Sequence, residues 1–172
     1  MQMNYKDFIR SIPDFPVEGI LFRDITPLLN NSEFYLKAVN DMLKPYLTKG
    51  IDAVAAIESR GYLFGAPIAQ ILEVPLIIIR KPGKLPFQTF KVDHQLEYGE
   101  SSLEIHTDSL SSNDNVLLID DLLATGGTLA AATKLIEKAG GQVSGISVLI
   151  ELQELEGRKS LSNYEINSII TY

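Results

Sequence analysis

VLLIDDLLATGGT, residues 116–128, decides the fold. Val116–Ile119 reads as a buried apolar strand, and two adjacent carboxylates, Asp120 and Asp121, follow at its C-terminal end. A loop of small residues then enters a helix read over Leu129–Ala139, which Gly140 and Gly141 stop. In open α/β sheets, ligands bind at that edge. Ala124, Gly126 and Gly127 lack bulk, so backbone N–H groups can approach an anion closely. The helix start adds unsatisfied N–H groups and its positive dipole end, and Thr125 and Thr128 add hydroxyl donors. The loop therefore reads as a phosphate cradle. Ionised carboxylates only accept hydrogen bonds, whereas sugar hydroxyls donate them. Asp120 and Asp121 beside a phosphate site thus describe a ribose 5-phosphate. An Asp pair before a Gly-rich turn also serves as a plain helix cap; strand, paired Asp, small-residue loop and two Thr together favour binding. The G-x-x-x-x-G-K-[ST] loop and the G-x-G-x-x-G fingerprint are both absent.

Outward from this stretch a rhythm appears. Ala53–Ile57 reads as a strand, Tyr62–Leu72 as a helix and Leu76–Arg80 as a strand. Beyond the central helix, Val143–Leu149 is a strand and Tyr164–Ile170 a final one. Near-continuous β-branched runs alternating with helices predict an α/β fold: a mostly parallel sheet flanked by helices. Lys81–Asn115 breaks the rhythm with Pro82, Gly83, Pro86 and Gly99. A structureless loop of that length is uncommon, so the region reads as a β-hairpin flap over about 81–106. Its strands fall near Phe87–Val92 and Ser102–His106, and a projection of this kind often covers a site. Towards the N-terminus, Tyr5, Phe8, Ile9 and Ile12 have helical spacing and predict a helix ending at Pro13. Asp14–Gly19 is irregular and Leu21–Ile25 extended. A helix capped by Ser32 then runs to about Leu47, with Phe34, Ala38, Val39, Met42 and Tyr46 inward. We expect one domain over residues 1–172.

Composition narrows the function classes. The chain is 45% hydrophobic and 22% charged, ordinary for a folded protein, and its net charge is −7. Such a chain repels nucleic acid and anionic membrane unless it concentrates a basic face. Without cysteine there is no disulfide or thiolate chemistry. His94 and His106 lack the spacing of a helical metal pair. The N-terminus has no signal-peptide pattern and the apolar runs are too short to span a bilayer, so a cytoplasmic location is expected. Arg80, Lys81 and Lys84 nevertheless place three of the 15 basic residues within one short segment. They read either as a solvated hinge or as an anion site. Ser59, Arg60 and Gly61, between a strand and a helix, read as an ordinary turn or as a second anion loop.

Residues 116–128 resemble the signature of type I phosphoribosyltransferases, which use 5-phosphoribosyl 1-diphosphate (PRPP). Further matching stretches are DFPVEGILFRDITPLL (14–29), ESRGYLFG (58–65), RKPGKLP (80–86), LEYGESSLEIH (96–106) and IELQELEGRKSL (150–161). They occur in family order and cover most of the chain. The resemblance is to members acting on adenine, and it implies transfer from PRPP to give AMP and diphosphate, a purine-salvage reaction. It implies a Mg²⁺ cofactor held mainly by substrate and water, a homodimer, and a non-proline cis peptide near Ser59. By the same resemblance, Ala124–Thr128 hold the 5-phosphate while Asp120 and Asp121 hold ribose hydroxyls, with Asp120 also a candidate to reach the base. Ser59, Arg60, Gly61, Arg80, Lys81 and Lys84 serve the diphosphate. Leu21, Phe22 and Arg23 meet the adenine, with Leu122 lining the opposite face. Glu97 and Tyr98 belong to a mobile hood, Glu97 being the candidate for acid–base assistance. Two departures stand out: PVEG lacks a common second proline, and Glu58 stands where Asp is frequent. A transferase for another base, such as xanthine or orotate, and a non-catalytic PRPP-sensing regulator are the rival readings.

Overall fold

The computed structural model describes residues 4–95 and 100–172, in two compact units: a first ending at Asn40 and a second spanning Asp41–Tyr172.

In the first unit Tyr5–Phe8 forms a single 3-10 turn, closed by Asn4, whose side chain accepts the Lys6 N–H while Asp7 accepts the Asn4 N–H. The expected helix through Ile12 is therefore corrected. Phe8 stacks on Phe34, ring centroids 4.0 Å apart, and the chain turns extended after it. Strand β1 (Arg10–Ile12) pairs antiparallel with β2 (Phe22–Asp24). Four apolar residues cannot separate one helical turn from a turn plus a short strand; the partner strand, distant in sequence, decides it. Asp24 precedes the short helix α1 (Thr26–Leu29) and accepts from Thr26 N at 2.9 Å and Thr26 Oγ1 at 2.8 Å. Helix α2 (Ser32–Leu43) follows. Its cap is Asn31, which accepts the Phe34 N–H at 3.1 Å, one residue before the expected Ser32. The helix also ends earlier than expected, because Pro45 takes Lys44–Tyr46 into a 3-10 turn.

The second unit is built on five parallel strands: β3 (Ala53–Ile57), β4 (Leu76–Ile79), β7 (Asn115–Leu123), β8 (Gln142–Glu151) and β9 (Ile166–Thr171), in spatial order β4-β3-β7-β8-β9. Strands alternate their side chains between faces, and both faces of β3 are used. Ala53, Ala55 and Ile57 join the core beneath α4 (Gly127–Lys138) with Leu129, Leu135 and Ile136. The other face meets α3 (Gly61–Leu72), where a Cβ on Gly65 would lie 2.5 Å from Ala56 Cβ; glycine there lets helix and strand approach. At the far side of the sheet, Tyr46 donates to Ile146 O at 2.7 Å, and its ring lies so close to Gly145 that a Cβ would overlap it. Burial pushes the Tyr46 hydroxyl up to about 12.

The expected flap is an antiparallel hairpin, β5 (Thr89–Gln95) and β6 (Glu100–His106). It is more than a projection. Leu103 and Ile105 are buried in the main core, and Arg80 and Glu104 exchange both backbone hydrogen bonds, at 2.9 and 2.7 Å. No described helix is long and apolar enough to cross a membrane.

Candidate active site

Strand β7 does not stop at Ile119 as the sequence reading had it; it carries Asp120 and Asp121 within the strand and ends at Leu123. Pairing with β8 continues as far as Leu123 and Glu151, so both carboxylates are held by the ladder at the sheet's C-terminal edge. They are 8% and 5% exposed. Above them opens a cleft of about 410 Å³, lined by Ile57–Arg60 from the end of β3 and by Asp120–Leu129. The segments expected to take the phosphate, the ribose and part of the diphosphate thus meet in one cavity, and Leu122 lines it too.

The loop Ala124–Thr128 turns directly from β7 into α4. Gly126 precedes α4 at φ +84°, a left-handed conformation that favours glycine. The first turn of α4 lines the cleft, so the positive end of the helix dipole lies beside it. Beneath this loop lies a turn, Gly157–Leu161, that the sequence reading holds only as part of a matching stretch, with no role attached. A Cβ on Gly126 would overlap Ser160 Oγ and Gly157 O, and a Cβ on Gly157 would overlap Ala124 O. The two segments touch backbone to backbone.

Across the cleft, the Glu58–Ser59 peptide bond is cis, as the resemblance implied. Arg60 Nε lies 3.0 Å from Asp121 Oδ2. Gly61 starts α3 directly against the carboxylates: a Cβ there would sit 3.0 Å from Asp120 Oδ1 and from Ile119 O. Burial, and then the neighbouring Asp121 charge, push the Asp120 carboxyl well above the usual carboxylate range. Burial also raises Asp121, against the pull of the Arg60 guanidinium. Asp121 N–H donates to Asp120 Oδ1 at 2.9 Å.

Arg80, Lys81 and Lys84 are not among the residues lining the cleft. They converge on Glu58, which is. Glu58 Oε2 accepts from Arg80 Nε at 3.3 Å, Arg80 Nη2 at 3.2 Å and Lys84 Nζ at 3.3 Å, and Oε1 accepts the Lys81 N–H at 2.5 Å. Burial alone would raise this carboxyl, but those four donors hold it below its ordinary value. Sequence reading registered Glu58 only as a departure from a pattern. A carboxylate directly before the Ser59–Arg60 turn, in a chain with one basic cluster, was the available signal. Leu21, Phe22 and Arg23 lie in the first unit, where Phe22 meets Phe15 edge-on and Arg23 donates to Ser11 Oγ. Glu97 and Tyr98 lie outside the described residues.

The buried Asp pair and the glycine-bearing loop thus lie together at the C-terminal edge of a parallel sheet, where open α/β proteins bind ligands. The phosphoribosyl transferase domain pattern matches residues 27–171, and the chain belongs to the phosphoribosyltransferase family. Its relatives include the adenine phosphoribosyltransferase of Kosmotoga olearia, 49% identical over 170 residues that cover 99% of this chain and 100% of the relative. The crystal structure of the adenine phosphoribosyltransferase from Thermoanaerobacter pseudethanolicus superposes with a TM-score of 0.92 at 48% identity, covering 98% of each chain. That of Saccharomyces cerevisiae, complexed with D-2,5-dideoxy-2,5-imino-altritol 1,6-bisphosphate and adenine, does so with a TM-score of 0.90 at 34% identity, covering 96% of each.

Proposed function

We infer that this chain is an adenine phosphoribosyltransferase, transferring the 5-phosphoribosyl group from PRPP to adenine with formation of AMP and diphosphate. The observation that carries the reading is the cleft itself, in which the buried Asp120–Asp121 pair and the Ala124–Thr128 loop face the Ser59–Arg60 turn. In this reading the loop N–H groups and the Thr125 and Thr128 hydroxyls hold the 5-phosphate. Asp120 and Asp121 accept from the ribose hydroxyls, and a hydroxyl donor arriving there relieves two crowded anions. Arg60, with Ser59 and Gly61, meets the diphosphate, as do Arg80, Lys81 and Lys84, whose segment Glu58 anchors.

Cleavage of the anomeric C–O bond develops positive charge on the sugar and negative charge on the leaving diphosphate. The protein's work is to fix the ribose at both ends and to neutralise the leaving group. Orientation of this kind contributes roughly 7–11 kcal/mol in favourable cases. Among the described residues no three His, Asp or Glu side chains converge as a metal cage. The donors at hand, hard carboxylate oxygens and substrate oxygens, suit Mg²⁺ bound chiefly by substrate and water, where it would supply charge neutralisation. Leu21, Phe22, Arg23 and Leu122 as adenine contacts, and Glu97 with Tyr98 as the acid–base group and its neighbour, rest on the family resemblance.

We also read the chain as one phosphoribosyltransferase domain, since the matched pattern runs from the first unit into the second. A homodimer is supported by edge strand β4, which leaves Leu76 and Ile78 each 37% exposed beside the open end of the sheet. The net charge of −7 favours small-molecule partners over nucleic acid or membrane, and a cytoplasmic location fits.

The test is diphosphate release by the purified protein with PRPP and Mg²⁺, comparing adenine, hypoxanthine, guanine, xanthine and orotate. Turnover with adenine alone is expected. Turnover with another base would overturn the adenine assignment but keep the PRPP site, and PRPP binding without any turnover would make the chain a sensor.

A further inference from the structure

We propose that Glu151 and Arg158, which touch no part of the cleft, form a clamp that sets the position of the phosphate loop and thereby the affinity for PRPP. This rests on the reading that Ala124–Thr128 hold the 5-phosphate.

Glu151 ends β8 and is 5% exposed. Its two carboxylate oxygens face the guanidinium fork of Arg158: Nε donates to Oε1 and Nη2 to Oε2, both at 2.7 Å. Ser168 Oγ donates to Oε2 at 2.7 Å, and Arg158 Nη1 reaches Ile166 O at 3.1 Å. Arg158 is thus fixed to the ends of two strands by a planar, bidentate arrangement that a lysine cannot reproduce. Hydrogen bonding from Arg158 holds the Glu151 carboxyl below its ordinary range, so the clamp is charged at neutral pH.

What the clamp fixes is the turn Gly157–Leu161. Gly157, directly before Arg158, is buried against the phosphate loop, and Ser160 Oγ donates to Gly157 O at 2.9 Å, closing the turn. Gly126 and Ala124 rest on this turn with no room for even a methyl group on either glycine. Leu152 N–H also donates to Leu123 O at 2.9 Å, tying the segment after β8 to the start of the loop. The loop itself is short and has no side-chain cap at its helix start. Its N–H groups can converge on an anion only if something outside it holds the backbone in place. The Gly157 turn is in contact with it, and Arg158 holds that turn.

The experiment uses the full chain in four forms: wild type, Arg158→Gln, Arg158→Lys and Gly157→Ala. Each is first shown by thermal melting to be folded at the assay temperature; steady-state kinetics then vary PRPP and adenine separately. Arg158→Gln and Gly157→Ala are expected to raise KM for PRPP by about tenfold or more, the range for a lost charge-assisted hydrogen bond. KM for adenine stays within about threefold, and Arg158→Lys falls between Gln and wild type. A merely structural role would lower melting temperature without this split. Folded Arg158→Gln with an unchanged KM for PRPP overturns the clamp. Should Arg158→Gln not fold, Glu151→Gln replaces it under the same criterion. Wild-type protein that binds no PRPP would remove the phosphate-loop reading and the clamp with it, an outcome distinct from normal wild-type kinetics with silent variants.

Discussion

Asp121 Oδ2 lies 3.0 Å from Arg60 Nε, and this ion pair is the counter-charge supplied to two neighbouring buried carboxylates. One guanidinium, about a third exposed, faces two acids. Burial pushes both carboxyls upward; at Asp120 the neighbouring Asp121 charge adds to it, and the Arg60 cation offsets it only in part.

A carboxyl with a raised folded pKa binds its proton more tightly folded than unfolded. Its contribution is therefore most favourable at low pH and is lost as pH rises from about 4 through the folded value. Asp120→Asn keeps an acceptor for the Asp121 N–H while removing the charge. We expect a higher melting temperature than wild type at pH 7.5, about 2–4 °C for each kcal/mol released, converging near pH 4. Diphosphate release should fall by at least about tenfold. A variant no more stable than wild type at pH 7.5 would contradict the burial argument.

Glu58 behaves oppositely. Its folded carboxyl sits low, so its stabilising effect is present above about pH 4.3 and disappears as pH falls through the folded value. Glu58→Gln should flatten the acid side of the stability profile. With Arg80 and Lys84 released from their anchor, KM for PRPP should rise about tenfold, while Glu58→Asp, shorter by one methylene, should lie between. Tighter PRPP binding in the Gln variant would show instead that Glu58 competes with the diphosphate.

Gly61→Ala tests how closely the ribose acids are placed. The added methyl would sit 3.0 Å from Asp120 Oδ1, so the carboxylate must shift by a few tenths of an ångström. We expect kcat to drop about tenfold or more with little change in melting temperature. Retained kcat would mean that Asp120 tolerates displacement and does not orient the sugar.

Tyr46→Phe addresses stability alone. Losing the donor to Ile146 O should cost about 1 kcal/mol, seen as a melting point roughly 2–4 °C lower, with kcat and both KM values unchanged. Altered kinetics would mean that β8 transmits the change to the cleft.

Glu97→Gln should lower kcat far more than it raises KM for PRPP if Glu97 assists the base. An unchanged kcat would remove it from the chemistry.

The parallel strands of the second unit were legible because β3 and the first half of β7 are continuous apolar runs, buried along their length as in a sheet covered on both faces. The end of β7 was not, since Asp120 and Asp121 look like loop residues unless the β8 ladder beside them is known. Tyr5–Ile12 failed for the same reason: β1 exists because β2 lies next to it. At the site, the glycines and paired acids announced the cleft by their chemistry. Gly157 did not, because it meets Gly126 across the fold and no local pattern encodes that contact; Glu58 and Arg158 are single charges in the sequence until the groups they bind are placed beside them.

The interlocked glycines Gly126 and Gly157 carry a consequence for engineering. Neither strand β7 nor its loop is a portable cassette: grafted onto another parallel sheet, VLLIDDLLATGGT would arrive without the floor that Gly157 and Ser160 provide. A transplanted anion site would have to bring the Glu151–Arg158 segment as well, making the smallest transferable unit two adjacent strands and both of their exits.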